Sequence, residues 1–195
     1  MARPPKFEER SEEIMAAFEA CVERKGLPET TLADVAAEAG LPRSLVRYFM
    51  GNRDEMVDRL IERIVARAEA SLDDIRDQAG AAPLGELLDV FFGKVFANER
   101  SNAVVGELWH LARNDQHIRE RLAGVYDYAI RLLVDAMRRE GVGRSAVARR
   151  KAAFAILSMI LGQSTLQDFG VAGVTPKDMR RLAGLIIAEL EEMGR

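Results

Sequence analysis

Apolar residues recur every three to four positions through almost the whole chain, and no stretch keeps the period of two that a half-buried strand needs. From Phe7 to Lys25, one helical stripe carries Ile14, Met15, Ala17, Phe18, Cys21 and Val22. Glu8, Glu9, Glu12 and Glu13 stand near its positive end, Arg24 and Lys25 near its negative end, and Gly26 closes it. Pro4 and Pro5 predict that the opening MARPPK stays outside this helix, where Arg3 and Lys6 can follow a phosphate backbone. A long helix is predicted from Arg53 to about Gln78, with Met56, Val57, Leu60, Ile61, Ile64, Val65 and Ala68 on its apolar face. It reads as the element that joins two domains. Pro83 suits the first turn of a helix from Leu84 to Asn98, followed by helices from Ser101 to about Asn114 and from Ile118 to Glu140. The run from Ala152 to Gly162 is apolar apart from Ser158, so it must be covered on most sides. Thr175, Pro176 and Asp178 mark the start of a last helix, whose apolar positions spread wide enough for two contacts. The pattern predicts an all-α chain of about nine helices.

Two short helices stand between the first and the long one: Thr31 to Glu38, then the bend Ala39-Gly40-Leu41, then Arg43 to Phe49. Helices this short are marginal alone, so Leu32, Val35, Ala36, Ala39, Leu41, Leu45 and Val46 must pack on their neighbours. Thr31 is placed to cap the first of them, with Asp34 reaching back. Helix, glycine bend and helix form the helix-turn-helix pattern, whose second helix enters a DNA major groove; the same outline also occurs in proteins that never touch DNA. No acid lies between Glu38 and Asp54, whereas Arg43, Arg47 and Arg53 share that stretch with Ser44, Tyr48 and Asn52. Guanidinium groups grip phosphates or read guanine edges, and hydroxyls and amides fix the phosphate register. The predicted division is residues 1–52 as a three-helix DNA-binding domain and 53–195 as a helical ligand-binding and dimerisation domain.

The run TTLADVAAEAG, then LPRSLVRY, then GNRDEM resembles the DNA-binding domain of the tetracycline-repressor (TetR) family of transcriptional regulators. The likeness covers roughly the first quarter of the chain. Pro42 departs from the family's usual serine-like cap, and Phe49-Met50 from its usual aromatic pair ending in Phe. The resemblance implies a homodimer on a palindromic double-stranded DNA operator, released by a small-molecule effector bound in the C-terminal domain. It places Arg43, Ser44, Leu45, Arg47 and Tyr48 at the major groove and Thr30, Thr31, Asn52 and Arg53 on flanking phosphates. The Trp-bearing helix followed by Asp-Gln-His-Ile-Arg is similar to family members that respond to choline-like compounds. A ligand-responsive repressor is therefore expected, the alternative being a helical small-molecule or protein-binding module without DNA function.

Composition adds bounds. At 48% hydrophobic and 30% charged, the 195 residues can bury a substantial core and fall outside the disordered range. A single cysteine rules out an internal disulfide framework, and Cys21 on an apolar stripe reads as a buried, inert thiol. With no secretory signal and no apolar run of about 18 residues, a cytoplasmic protein without a membrane segment is expected. Residues 1–60 hold 9 Lys/Arg against 12 Asp/Glu, so bulk charge argues mildly against nucleic acid and only the local arginine surface argues for it.

Phe91, Phe92, Phe96, Trp109, His110, Tyr126, Tyr128 and Met159 are the candidate pocket lining, set against the ordinary reading of aromatics at helical spacing as core. Trp109 and Tyr126, with Glu107, could enclose a cationic ligand. Only His110 and His117 are available as imidazoles, and there is no Gly-rich phosphate loop, nucleophile elbow or cysteine pair. Neither an enzyme nor a metal or other cofactor is expected. Ala155, Ser158, Met159, Gly162, Leu182, Leu185, Ile186 and Glu189 are the predicted faces of a two-fold, four-helix dimer interface.

Overall fold

A computed structural model describes residues 5–78, 83–95 and 99–192. They form nine α-helices and no strand among the described residues: α1 Pro5–Lys25, α2 Leu32–Glu38, α3 Arg43–Met50, α4 Arg53–Gln78, α5 Leu84–Val90, α6 Glu99–Ala112, α7 Gln116–Arg139, α8 Ala146–Asp168 and α9 Pro176–Glu192. The all-α expectation holds. None of the described helices is long and apolar enough to cross a membrane.

Several boundaries differ from the sequence reading. Pro5 is the first residue of α1 rather than part of an arm, because the amide proline lacks is one the first turn leaves unbonded anyway. Pro83 stands just ahead of α5 as its extended N-cap, with φ −58° and ψ 149°. The helix predicted from Leu84 to Asn98 is α-helical only to Val90 and then opens into a π-helical turn, Phe91–Val95. Residues 96–98 lie outside the described residues. Beyond the apolar run, α8 extends at both ends, from the Ser145 hydroxyl that accepts the Ala148 amide to Asp168.

The chain divides into two compact units, Met1–Ala66 with Ala103–Arg119, and Arg67–Asn102 with Glu120–Arg195. The first unit is built on Ile14, Phe18, Val22, Leu27, Val35, Val46, Met50, Met56 and Leu60, all buried, and Leu111 of α6 packs against them. Burying each large apolar side chain contributes about 1.5–3 kcal/mol, and this is what holds two helices as short as α2 and α3. In the second unit, Leu88, Phe91, Leu133, Met137, Ile156, Ile160 and Ala183 lie in one core that joins α5, α7, α8 and α9. Arg180 ties α9 to α5 through Asp89 at 2.7 Å and the Gly85 carbonyl at 3.0 Å.

Candidate functional site

Capping fixes the start of α2. Thr31 Oγ1 accepts the Asp34 amide at 3.3 Å, and Asp34 Oδ2 accepts the Thr31 amide at 3.0 Å. Asp34 also accepts a bond from Lys25 at 2.5 Å, and Arg24 pairs with Glu38 at 2.9 Å. The Lys25 bond first, then the Thr31 hydroxyl and amide, hold the Asp34 carboxyl well below the usual carboxylate range. At the other end the Gly40 amide bonds the Ala37 carbonyl and the Leu41 amide the Ala36 carbonyl, with Gly40 at φ +64°. That is the Schellman closure, and it turns the chain toward α3. The acids of α2 are thus paired with bases of α1, so they do not neutralise the arginines that follow.

On α3 burial and exposure separate cleanly. Val46 and Met50 are fully buried, which fixes the roll of the helix. Arg43, Ser44, Leu45, Arg47 and Tyr48 are exposed, Leu45 at 39% and Tyr48 at 72%. Neither arginine has an ion pair or hydrogen bond with a described residue. An exposed row of two arginines, a hydroxyl, a phenol and one apolar contact has the donors that base edges and phosphates require. Pro42 provides no side-chain cap, so the first amides of α3 are left to solvent or an anion.

Two braces on α3 were not foreseen. Phe7 of α1 stacks on Phe49, ring centroids 4.9 Å apart, and meets Tyr48 edge-on at 6.3 Å. Arg59 of α4 donates to the Phe49 carbonyl at 3.1 Å. Phe7 opens its predicted helical stripe, but nothing in one sequence says which later residue a helix end will meet.

The predicted phosphate contacts fare unevenly. Thr30 is only 1% exposed and its hydroxyl donates to the Gly26 carbonyl at 2.8 Å, so it anchors the α1–α2 loop. Thr31 is exposed, yet its amide and hydroxyl proton are both given to Asp34. Asn52 caps α4: its Oδ1 accepts the Glu55 amide at 2.9 Å and its own amide donates to Glu55 at 2.7 Å, which puts a carboxylate where an anion was expected. Arg53 is exposed but spends one donor on the Leu27 carbonyl, 2.7 Å away.

The pocket candidates are dispersed. Phe91 is fully buried, and Tyr126, Tyr128 and Met159 pack against the same core in the second unit. Tyr128 is further committed, donating to Asp73 and accepting from Arg76 at 2.9 Å, with the Arg131 guanidinium 5.5 Å from its ring centre. The Asp73 bond raises the Tyr128 pKa. Half-buried Trp109 and exposed His110 belong to the first unit. Phe96 lies outside the described residues. Of the described ones among these candidates, Phe92 alone lines the cavity at the α8–α9 corner. The Cys21 thiol is buried and its pKa is raised by that burial. No group of three or more potential metal ligands occurs among the described residues.

Of the predicted interface positions, Ser158, Gly162, Leu182, Leu185 and Glu189 are exposed, and Ala155, Met159 and Ile186 are half-buried. The Ser158 hydroxyl is turned back onto the Phe154 carbonyl at 2.8 Å. Phe154 of α8 is 64% exposed and was missed because the sequence pattern treats the apolar run of α8 as covered; Phe169, just beyond α8, is 78% exposed.

No family model matches the chain. The HTH-type transcriptional regulator BetI of Stenotrophomonas maltophilia (strain R551-3) is 23% identical over 100 residues, covering 51% of this chain and 50% of that protein. The chain spans about half the length of the curated relatives it matches. A TetR transcription regulator from Haloarcula marismortui ATCC 43049 superimposes with a TM-score of 0.78 at 20% identity, covering 94% of this chain and 98% of that one. A protein from Saccharomonospora viridis, assigned as a transcriptional regulator and solved in complex with choline, gives 0.75 at 17% identity over 93% and 96% of the two chains.

Proposed function

We propose that this chain, whose fold is that of the TetR regulators, is a ligand-responsive DNA-binding transcriptional regulator. In this reading it is a repressor that holds a palindromic operator as a homodimer and releases it when a small molecule binds. The observation that carries it is the exposed face of α3: Arg43 and Arg47 have no ion pair or hydrogen bond among the described residues and stand beside Ser44, Leu45 and Tyr48, on a helix whose opposite face is fully buried. A rigid helix with unspent guanidinium groups is what major-groove reading needs. Of the flanking contacts, the Asn52 amide group and the remaining donors of Arg53 are the ones still able to meet phosphates. The exposed apolar side chains Phe154, Leu182 and Leu185 support a homodimer, and the choline complex of the Saccharomonospora viridis protein supports testing a quaternary ammonium effector. A cytoplasmic location follows from the regulator reading.

Selection of purified protein on randomised duplexes at low salt, with sequencing of the bound pool, tests this directly. Recovery of one palindrome supports a dimeric regulator. No enrichment sinks it and leaves the helical binding module, the reading that the excess of acids in residues 1–60 favours.

A further inference from the structure

The corner where α8 gives way to α9 holds a cavity of about 570 Å³, within the range that takes a drug-sized ligand. One wall is apolar, made by Phe92 and Ile160. Phe92 sits on the π-helical turn that follows α5, a departure from α-geometry that recurs at functional sites because it re-aims side chains. The Arg180 tie between α9 and α5 holds this wall in place.

Gln163 of α8 also lines the cavity. It is 8% exposed, and its Nε2 has no hydrogen-bond partner among the described residues. An unpaired buried amide of this kind is unfavourable, and the cavity beside it is where an acceptor would relieve it. Ser164, Gln167 and Thr175 of the lining are polar but uncharged. Thr175 has given its hydroxyl proton to Asp178 at 2.6 Å, and Asp168 is the one charged side chain, with no Lys, Arg or His among the lining residues. An anion entering here would meet a carboxylate and no counter-charge.

We infer that this corner is a binding site for a small uncharged or cationic molecule with an apolar body and one carbonyl or hydroxyl oxygen, which accepts a hydrogen bond from Gln163 Nε2. The inference deepens the effector half of the proposed function and rests on that reading for its regulatory meaning. Binding itself does not depend on DNA.

The probe is Prodan, an uncharged naphthalene with a propionyl carbonyl, whose emission moves to the blue in apolar surroundings. Titrated into the full chain without DNA, it binds saturably at one site per chain. The Gln163→Leu variant melts no lower than the parent, because it removes an unpaired amide, and binds Prodan about tenfold more weakly. Ala172→Trp, a change on the exposed loop that lines the mouth, abolishes binding and decides the matter if Gln163→Leu fails to fold. The analogue 6-dimethylamino-2-naphthoate, which carries a carboxylate in place of the ketone, binds at least tenfold more weakly than Prodan. Absence of saturable binding, binding untouched by both variants, or equal affinity for the carboxylate each overturns the inference. A chain that binds Prodan but selects no operator loses the regulator reading and keeps the site; one that selects an operator but ignores Prodan does the reverse.

Discussion

The Arg59 guanidinium donates to the main-chain carbonyl of Phe49 at 3.1 Å and reaches Met50 Sδ at 3.5 Å, so the last turn of α3 is clamped by a side chain of α4. The clamp matters because Pro42 gives α3 no side-chain cap at its other end. Arg59→Met keeps the apolar stem and removes the charge-assisted bond. It should lower unfolding free energy by about 1–2 kcal/mol in urea titrations and weaken binding to every duplex alike. A shift in base preference, read from the sequenced bound pool, would contradict a purely bracing role.

Gly51 shows how tightly the next turn is drawn. With φ +80° and ψ −147° it occupies backbone space closed to side chains, and a Cβ there would land on the Glu55 carboxylate that caps α4. Gly51→Ala should therefore cost about 1–3 kcal/mol through strain, with further loss as Glu55 leaves the Asn52 amide. Circular dichroism melts read the first effect directly. An unchanged melting temperature would mean that the α3–α4 turn can rearrange.

The three arginines around α3 are not equivalent, and their variants should separate. If Arg43 or Arg47 reads a guanine, its replacement by Ala costs about 1–3 kcal/mol of operator binding and relaxes one position of the site, leaving the free protein's melting temperature alone. Arg53→Ala should weaken all sequences alike, lower the salt slope, and also destabilise the free protein, because it takes the charged donor from the Leu27 carbonyl and leaves it only the Thr30 amide at 3.3 Å. Anisotropy titrations at two salt concentrations, with melts of each variant, distinguish these outcomes.

These contrasts show where sequence reading succeeds and where it stops. Thr31 with Asp34, Gly40, and Thr175 with Asp178 are local devices, each complete within a few residues, and each stands where the pattern put it. On α3 the pattern placed buried Val46, but Leu45, expected to pack beside it, is 39% exposed, and Met50, one turn beyond Val46, takes the buried position. The hydroxyls of Thr30 and Tyr128 are the opposite case: their partners, the Gly26 carbonyl and the Asp73 carboxylate, depend on how the chain folds back. No periodicity encodes that choice. The same holds for Phe92, whose selection from a row of aromatics depends on a π-helical turn that the spacing does not announce.

Leu185 on α9 is 61% exposed and Leu182 is 47% exposed, while Phe154 on α8 is 64% exposed. Large apolar side chains in this number on two packed helices are a surface that soluble chains usually cover. Leu185→Glu should convert a dimer to a monomer in sedimentation velocity without harming the fold, since the site is exposed in the isolated chain. Loss of operator binding at low protein concentration should accompany it. A sedimentation profile identical to the parent's would remove α9 from the interface.

Asp34 provides a pH signature. Lys25 first, and then the hydroxyl and amide of Thr31, favour its ionised form, so its pKa is depressed in the folded state relative to the unfolded chain. A depressed carboxyl contributes stability that is fully present above the unfolded value, near pH 4, and is lost as pH falls through the folded one. Unfolding free energy should thus be insensitive to Asp34 above about pH 5 and should fall below it. Asp127, lowered by Arg150, and Asp178, lowered by Thr175, add to the same acid limb, so the total slope does not isolate any one of them. The difference between the parent and Asp34→Asn does. That difference should be constant from pH 7 to 5 and shrink toward pH 3, because acidification takes from the parent what the amide variant never had. Curves that stay parallel down to pH 3 would show that the contacts of Asp34 do not distinguish its charged form from its neutral one.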